Sequence, residues 1–296
     1  MIQRFLGPIG AREAPRDNHP SSGFNSVTET YTKLNPTLHG PCGLGGVVHS
    51  RITEQGTTGT NNHADKAKAT IPKQRTQIGT WNVRTMYQAG KVHQVSKEMR
   101  RLNLAILGIS EARWLGSDKS QLLTGETLLY SGPTGDSSSH EKGVALMLSK
   151  QAAKSHMEWE PISKRIIMAS FESKFQVSTI LQTYAPTNKA DEEEKEDFNN
   201  QLQAAFNKTK KRDIILVMGN LNAKVGSDNQ NRERTIRSQG VGIINENEEL
   251  FCDFCATKGL VIGGPLFRHK TSHKVTWRSP DDMTENQIDH VAISRK

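Results

Sequence analysis

From residue 76 onward, short apolar runs alternate with polar breaks, and this punctuation limits the fold more than any other feature. The runs are "QIGTWNV", "LAILGISEA", "TLLYSG", "GVALMLS", "RIIMASFES", "QVSTILQTYAP", "DIILVMGNL", "LVIGG", "KVTWRS" and "QIDHVAIS". Apolar stretches this short, bounded by turn-forming residues, read as strands. Three segments have a helical period instead. "KVHQVSKEMRRLN" spaces Val92, Val95 and Met99 along one face, and "EEEKEDFNNQLQAAFNKTKKR" does the same with Phe198, Leu202 and Phe206. "NEELFCDFCATKG" turns Leu250, Phe251, Phe254 and Cys255 inward and is closed by Gly259 as a C-cap. The first two runs flank a helix, a strand-helix-strand unit, while many later strands follow one another directly. This predicts an α/β fold of mixed sheets with helices outside. No internal repeat is visible.

Residues 1–74 differ in texture. They are rich in Gly, Pro, Ser, Thr and Asn, as in "GPCGLGG" and "TEQGTTGTNNHADKAKAT", with no sustained period. Ordering a backbone costs about 1–2 kcal/mol per residue, and such a segment has little apolar surface to offset it. It is expected to be a disordered leader, with one domain over 75–296. The low mean hydropathy of -0.62 agrees.

A net charge of +8 points to acidic partners such as nucleic acid. The charge is spread out; the densest cluster, "KTKKR" at 208–212, reads as a solvated helix end. Three cysteines, Cys42, Cys252 and Cys255, are too few for a disulfide framework. The Cys252/Cys255 pair falls on a helix without a second pair at zinc spacing, so it reads as core. Neither a signal peptide nor a run of ~18 apolar residues is found. A soluble, intracellular protein is therefore expected, with no membrane association and an undecided oligomeric state; DNA is the expected partner and the nucleus the expected location.

Several strands end on side chains that are poor structural choices and good site groups: Asn82, Glu111, Tyr184, Asn220 with Asn222, and Asp289 inside the last strand. Singly, each has a plain reading. Asn82 can cap a turn, Glu111 can open a solvated loop, Tyr184 can be a packed tyrosine, and Asp289 can be held by one structural hydrogen bond. Ends of neighbouring strands converge on one rim of a sheet, where sites form in such folds.

In this order, "GTWNVRT", "LGISEARW", "TYAPT", "VMGNLNAKVG", "KVTWRSP" and "NQIDHVAIS" resemble the endonuclease/exonuclease/phosphatase family. The likeness is to its apurinic-type endonuclease domains in non-LTR (LINE, RTE-like) retrotransposons and covers about residues 76–296. The resemblance implies a four-layered α/β sandwich of two mixed β-sheets flanked by helices. It also implies metal-dependent phosphodiester hydrolysis that nicks one DNA strand. Glu111 would be the principal Mg²⁺ (or Mn²⁺) ligand, with Asn82 beside it. Hard oxygen donors suit Mg²⁺, which often takes one or two carboxylates and completes its shell with water and phosphate. Tyr184 would hold the phosphate, Asn222 would donate to the phosphoryl oxygens, and Asp289 would orient a histidine. Arg84, Thr276 and Trp277 would contact the substrate.

Two departures follow from the same resemblance. The family's motif has Asp where this chain has Asn220; an amide keeps the shape but cannot accept a proton at neutral pH. Loss of a general base lowers a rate by about 10²–10⁴. The family also closes on a Ser-Asp-His segment and a last strand with no counterpart before Lys296, implying a C-terminally truncated domain with an exposed sheet edge. His290 matches the earlier segment and does not inherit that histidine's role, while His269 and His273 read as solvated loop residues. A nuclease fold with reduced or no activity is expected. The rivals are a non-catalytic nucleic-acid- or protein-binding remnant and a small-molecule phosphatase of the same family. No reverse transcriptase segment is present.

Overall fold

The computed structural model describes residues 75–135, 140–173, 176–224, 235–236, 245–266, 274–279 and 283–295, together with the backbone of 2–8, 26–33 and 47–54. His269, His273 and Cys42 lie outside the described residues.

Two mixed sheets dominate. The first contains β1 (Ile2–Pro8), β2 (Ser26–Lys33), β3 (Val47–Glu54), β4 (Arg75–Asn82), β5 (Ile106–Ser110), β6 (Ser117–Gln121), β7 (Thr127–Ser131) and β8 (Val144–Leu148), in the spatial order β2-β3-β1-β4-β5-β8-β7-β6. The second contains β9 (His156–Ser163), β10 (Ile166–Phe171), β11 (Ser178–Tyr184), β12 (Ile214–Asn220), β13 (Leu260–Ile262) and β16 (Asp289–Ser294), in the order β13-β16-β12-β11-β10-β9. A ribbon of β14 (Trp277–Arg278) and β15 (Glu285–Asn286) stands apart. Each large sheet has a parallel pair at its centre, β4–β5 and β11–β12, flanked by antiparallel neighbours. The segment read as a leader carries three strands, and β1 runs antiparallel along β4 from Ile2 opposite Trp81 to Pro8 opposite Arg75.

The apolar residues divide into three buried clusters, one for each boundary between four layers. Strand alternation does the sorting. Val144, Leu146 and Leu148 of β8 face the second sheet, joining Ile78, Ile106, Ile167, Ile180, Leu216 and Met218. The intervening Ala145 and Met147 face outward, joining Val95 and Met99 of helix α1 (Lys91–Arg101) and Leu107 and Ile109 of β5. On the far side of the second sheet, Leu181, Ile215 and Val217 pack under helices α3 (Glu192–Lys208) and α4 (Glu246–Lys258). Burying each Val, Leu or Ile is worth roughly 1.5–3 kcal/mol, so the alternation commits both faces of both sheets. A short helix, α2 (Lys150–Ser155), follows β8.

The long helices begin on polar caps. Asp191 accepts the Glu194 N–H (2.7 Å), and Asn245 accepts that of Glu248 (3.1 Å). Gly259 closes α4 in the left-handed conformation at φ 68°, as its position predicts. The phase expected for α4 is corrected: Cys252 is fully buried, whereas Leu250 is exposed. Among the described residues no helix is long and apolar enough to cross a membrane.

Candidate active site

Strand ends from both sheets meet at one rim. In the first sheet Asn82, closing β4, is the register partner of Ser110, closing β5. In the second, Tyr184, Asn220 and Asp289 form one row across β11, β12 and β16. A buried polar network ties the rows together. Thr80 Oγ1 donates to Gln182 Oε1 (3.2 Å), Gln182 Nε2 to Ser110 Oγ (3.0 Å), and Ser110 Oγ to the Thr183 carbonyl (3.0 Å). The Asn220 N–H completes it by donating to Ser110 Oγ (3.3 Å). Gly108 makes room: a Cβ there would lie 1.9 Å from Gln182 Oε1.

Glu111 occupies the centre. Its Oε1 accepts from Asn82 Nδ2 (2.8 Å) and its Oε2 from Arg113 Nη2 (3.0 Å), and the Tyr184 phenol lies close enough to feel its charge. Burial, and next the Glu111 charge, raise the Tyr184 pKa, so the phenol stays protonated and able to donate. The loops are strapped by backbone bonds: Val83 to Ser110 (3.1 Å), Met86 to Ala112 (3.0 Å), Ala112 to Gly143 (2.9 Å) and Arg113 to Lys142 (2.8 Å). Non-glycine residues with positive φ among those described are Asn103 (51°), Arg84 (62°), Glu111 (55°), Arg113 (58°) and Asn222 (49°). All but Asn103 lie at this rim. Sparsely populated backbone of this kind costs about 1–3 kcal/mol a residue and clusters where function over-determines the geometry.

Behind Tyr184 stands a second group of charges. Arg165 lies 5.1 Å over its ring, donates to its carbonyl (2.9 Å) and pairs with Glu194 (2.8 Å), which also holds Lys142. The bonds from Arg165 and Lys142 pull Glu194 down to about 2.

The remaining expected residues have more structural engagements than the motif suggests. Asn220 is buried, and its Oδ1 accepts the Asn222 N–H (3.0 Å), closing a side-chain turn that supports the left-handed Asn222. Asn222 Nδ2 donates to the carbonyls of Ala185 (2.9 Å) and Pro186 (3.3 Å), and thus points into its own loop. Thr276 is buried, its Oγ1 accepting the N–H groups of Ile288 (2.8 Å) and Asp289 (3.1 Å), so it supports Asp289 from below. Trp277, half-buried in the ribbon opposite Asn286, has no described bond to the cluster. Arg84 is exposed and joined to the cluster through its N–H on Asn82 Oδ1 (3.0 Å).

Asp289 is fully buried, and its Oδ1 accepts no hydrogen bond from any described residue. Burial pushes its pKa up to about 7, with the Glu111 charge adding to the rise, while the Thr276 hydroxyl opposes it. The next residue, His290, faces the other way. Its Nε2 bonds to the Ala223 carbonyl (2.8 Å), its ring lies 6.0 Å from that of Phe251, and burial lowers its pKa to about 4.

The oxygens here are of the kind that suits a divalent metal of the Mg²⁺ type: one partly exposed carboxylate, Glu111, and the unpartnered Asp289 oxygen. No group of three His, Cys, Asp or Glu able to hold a metal ion occurs among the described residues, so Glu111 and Asp289 would be the carboxylates to hold such an ion. Arg113 was legible only as part of "SEARW". Arg165 with Glu194 and Ser110 with Gln182 carry no local sequence signal, since their partners are 29 and 72 residues away.

No protein-family model matches the chain. It is 35% identical over 242 residues to craniofacial development protein 2 of Bos taurus, an alignment that spans 82% of this chain and 40% of that protein. The chain therefore covers about two fifths of that relative's length. It is 29% identical over 153 residues to exodeoxyribonuclease III of Haemophilus influenzae, spanning 46% of this chain and 57% of that one. Among solved structures, the AP endonuclease LMAP of Leishmania major superposes with a TM-score of 0.52 at 11% identity, covering 73% of this chain and 78% of that chain. In fold the chain is similar to the AP endonuclease LMAP, with the same layered α/β arrangement, and in sequence it is similar to craniofacial development protein 2.

Proposed function

We propose that the rim binds the phosphodiester of a DNA strand and cuts it slowly with the help of a divalent metal ion at Glu111. The chain is read as a retrotransposon-derived endonuclease-like domain acting in the nucleus. The observation that carries this reading is the convergence of Asn82, Glu111, Tyr184, Asn220 and Asp289 from five strands of two sheets onto one strained rim. When bound, the metal would polarise the phosphate and lower the pKa of a coordinated water.

The protein's own groups have definite tasks. Glu111 and Asn82 supply oxygen atoms, and the protonated Tyr184 phenol donates to a phosphate oxygen. Arg84 and Arg113 offset the phosphate charge. Asn220 holds the turn but takes no proton, which is why the reaction is slow.

Binding without hydrolysis is the second reading. It is favoured by the state of Glu111, whose two oxygens are already held by Asn82 and Arg113. Parallel assays of duplex nicking and of inorganic phosphate release separate the readings. Nicking alone supports the first, and salt-sensitive DNA binding without product supports the second. Phosphate released from a small ester would transfer the site to a phosphatase.

A further inference from the structure

Beside the cluster, two aromatic rings in tilted contact stand at the surface. Tyr87 is 65% exposed, and its ring lies 4.2 Å from that of His140, inclined by 40°. A single exposed tyrosine is ordinary on a protein surface. This pair is held in place from below. His140 Nδ1 is bonded to the Arg113 carbonyl (2.9 Å), and the Arg113 guanidinium is bonded to Glu111. On the other side, the Tyr87 N–H is held by Thr85 Oγ1 (3.0 Å), and the preceding Met86 is buried with its N–H on Ala112. An unbroken line of contacts thus runs from the Glu111 carboxylate through Arg113 and His140 to Tyr87.

We propose that Tyr87 and His140 form a stacking platform for an unpaired nucleobase next to the phosphate held at Glu111. The proposal deepens the phosphodiester reading and rests on it. Aromatic faces combined with a cationic track are how proteins hold single strands, because every base has a face to stack and every linkage a charge to neutralise. Both are supplied by the same segments: Arg84 sits three residues before Tyr87, and Arg113 carries the carbonyl that holds His140. The platform needs no base-specific hydrogen bond, so it selects for an unpaired base and not for its identity. The substrate class is therefore DNA with a single-stranded or locally opened segment at the cutting point.

The test uses the full chain in EDTA, so that the strand is not cut, with fluorescence anisotropy on two probes. One is a labelled single-stranded oligonucleotide, and the other is the same backbone with abasic sites throughout. Tyr87→Ala is expected to weaken binding of the first about tenfold and to leave the second unchanged, while Tyr87→Trp retains wild-type affinity for both. Equal affinities of wild type and Tyr87→Ala for the normal strand would overturn the platform, as would an equal loss on both probes. A wild-type chain that binds neither probe would overturn the phosphodiester reading itself. Circular dichroism of each variant confirms the fold, which an exposed side chain does not support.

Discussion

Two residues make the sharpest predictions. Asn220 closes a turn through its Oδ1 on the Asn222 N–H and, unlike an Asp, lacks a second, basic oxygen. Asn220→Asp is expected to raise the initial rate of nicking, by at most about 10²–10⁴, without moving the midpoint of unfolding much. An unchanged rate would show that no base is needed at this position. Asp289 has a pKa raised from 3.8 to about 7, so between these values the folded chain holds a proton that the unfolded chain releases. Its contribution to stability therefore falls as pH rises through that window. His290, lowered from 6.5 to about 4, works in the opposite sense and loses stability as pH drops through its own window. Asp289→Asn should leave only the histidine slope: urea midpoints that climb from about pH 4 to 6.5, and a gain on the order of a few kcal/mol above about pH 7. A variant whose stability kept falling as pH rises from about 4 to 7 would place the titration elsewhere.

At the scale of elements, the fold depends on how closely strands meet under the rim. Gly219 in β12 has φ 143°, and a Cβ there would lie 1.9 Å from the Thr183 carbonyl of β11. Gly219→Ala is expected to cost more than about 3 kcal/mol, read as a lower denaturant midpoint; a near-neutral result would mean that the β11–β12 pairing is looser than described. The buried strands and helices α1 and α3 were legible because their apolar periods match their burial. Strand β6, "SDKSQ", and strand β9, "HMEWEPIS", were not, and each is the edge strand of its sheet. An edge strand can be polar, interrupted by proline and still paired. The phase of α4 was misread for a related reason: apolar residues surround much of that helix, leaving no distinct stripe to set it.

For the whole molecule, the candidate site exists only because two sheets end at the same rim. Sequence order alone marks Asn82, Glu111, Tyr184 and Asn220 as strand-end positions, whereas Asp289, expected inside the last strand, is its first residue. It could not show that Asn222 spends its amide on its own loop, that Thr276 is buried under Asp289, or that Ser110 and Gln182 join the sheets, because each depends on contacts between distant segments. The segment before residue 75 illustrates the same limit: its composition lacks periodicity, yet β1 pairs along β4, the strand that ends in Asn82. Whether it belongs to the domain is a question of pairing, which composition does not contain.

The most direct test of the account is Mg²⁺-dependent nicking of supercoiled plasmid by the purified full chain, run beside Glu111→Ala and beside a sample containing EDTA. The account predicts slow conversion to the open circle that disappears in both controls. Nicking that survives Glu111→Ala, or none at all from folded protein that binds the plasmid, would contradict it.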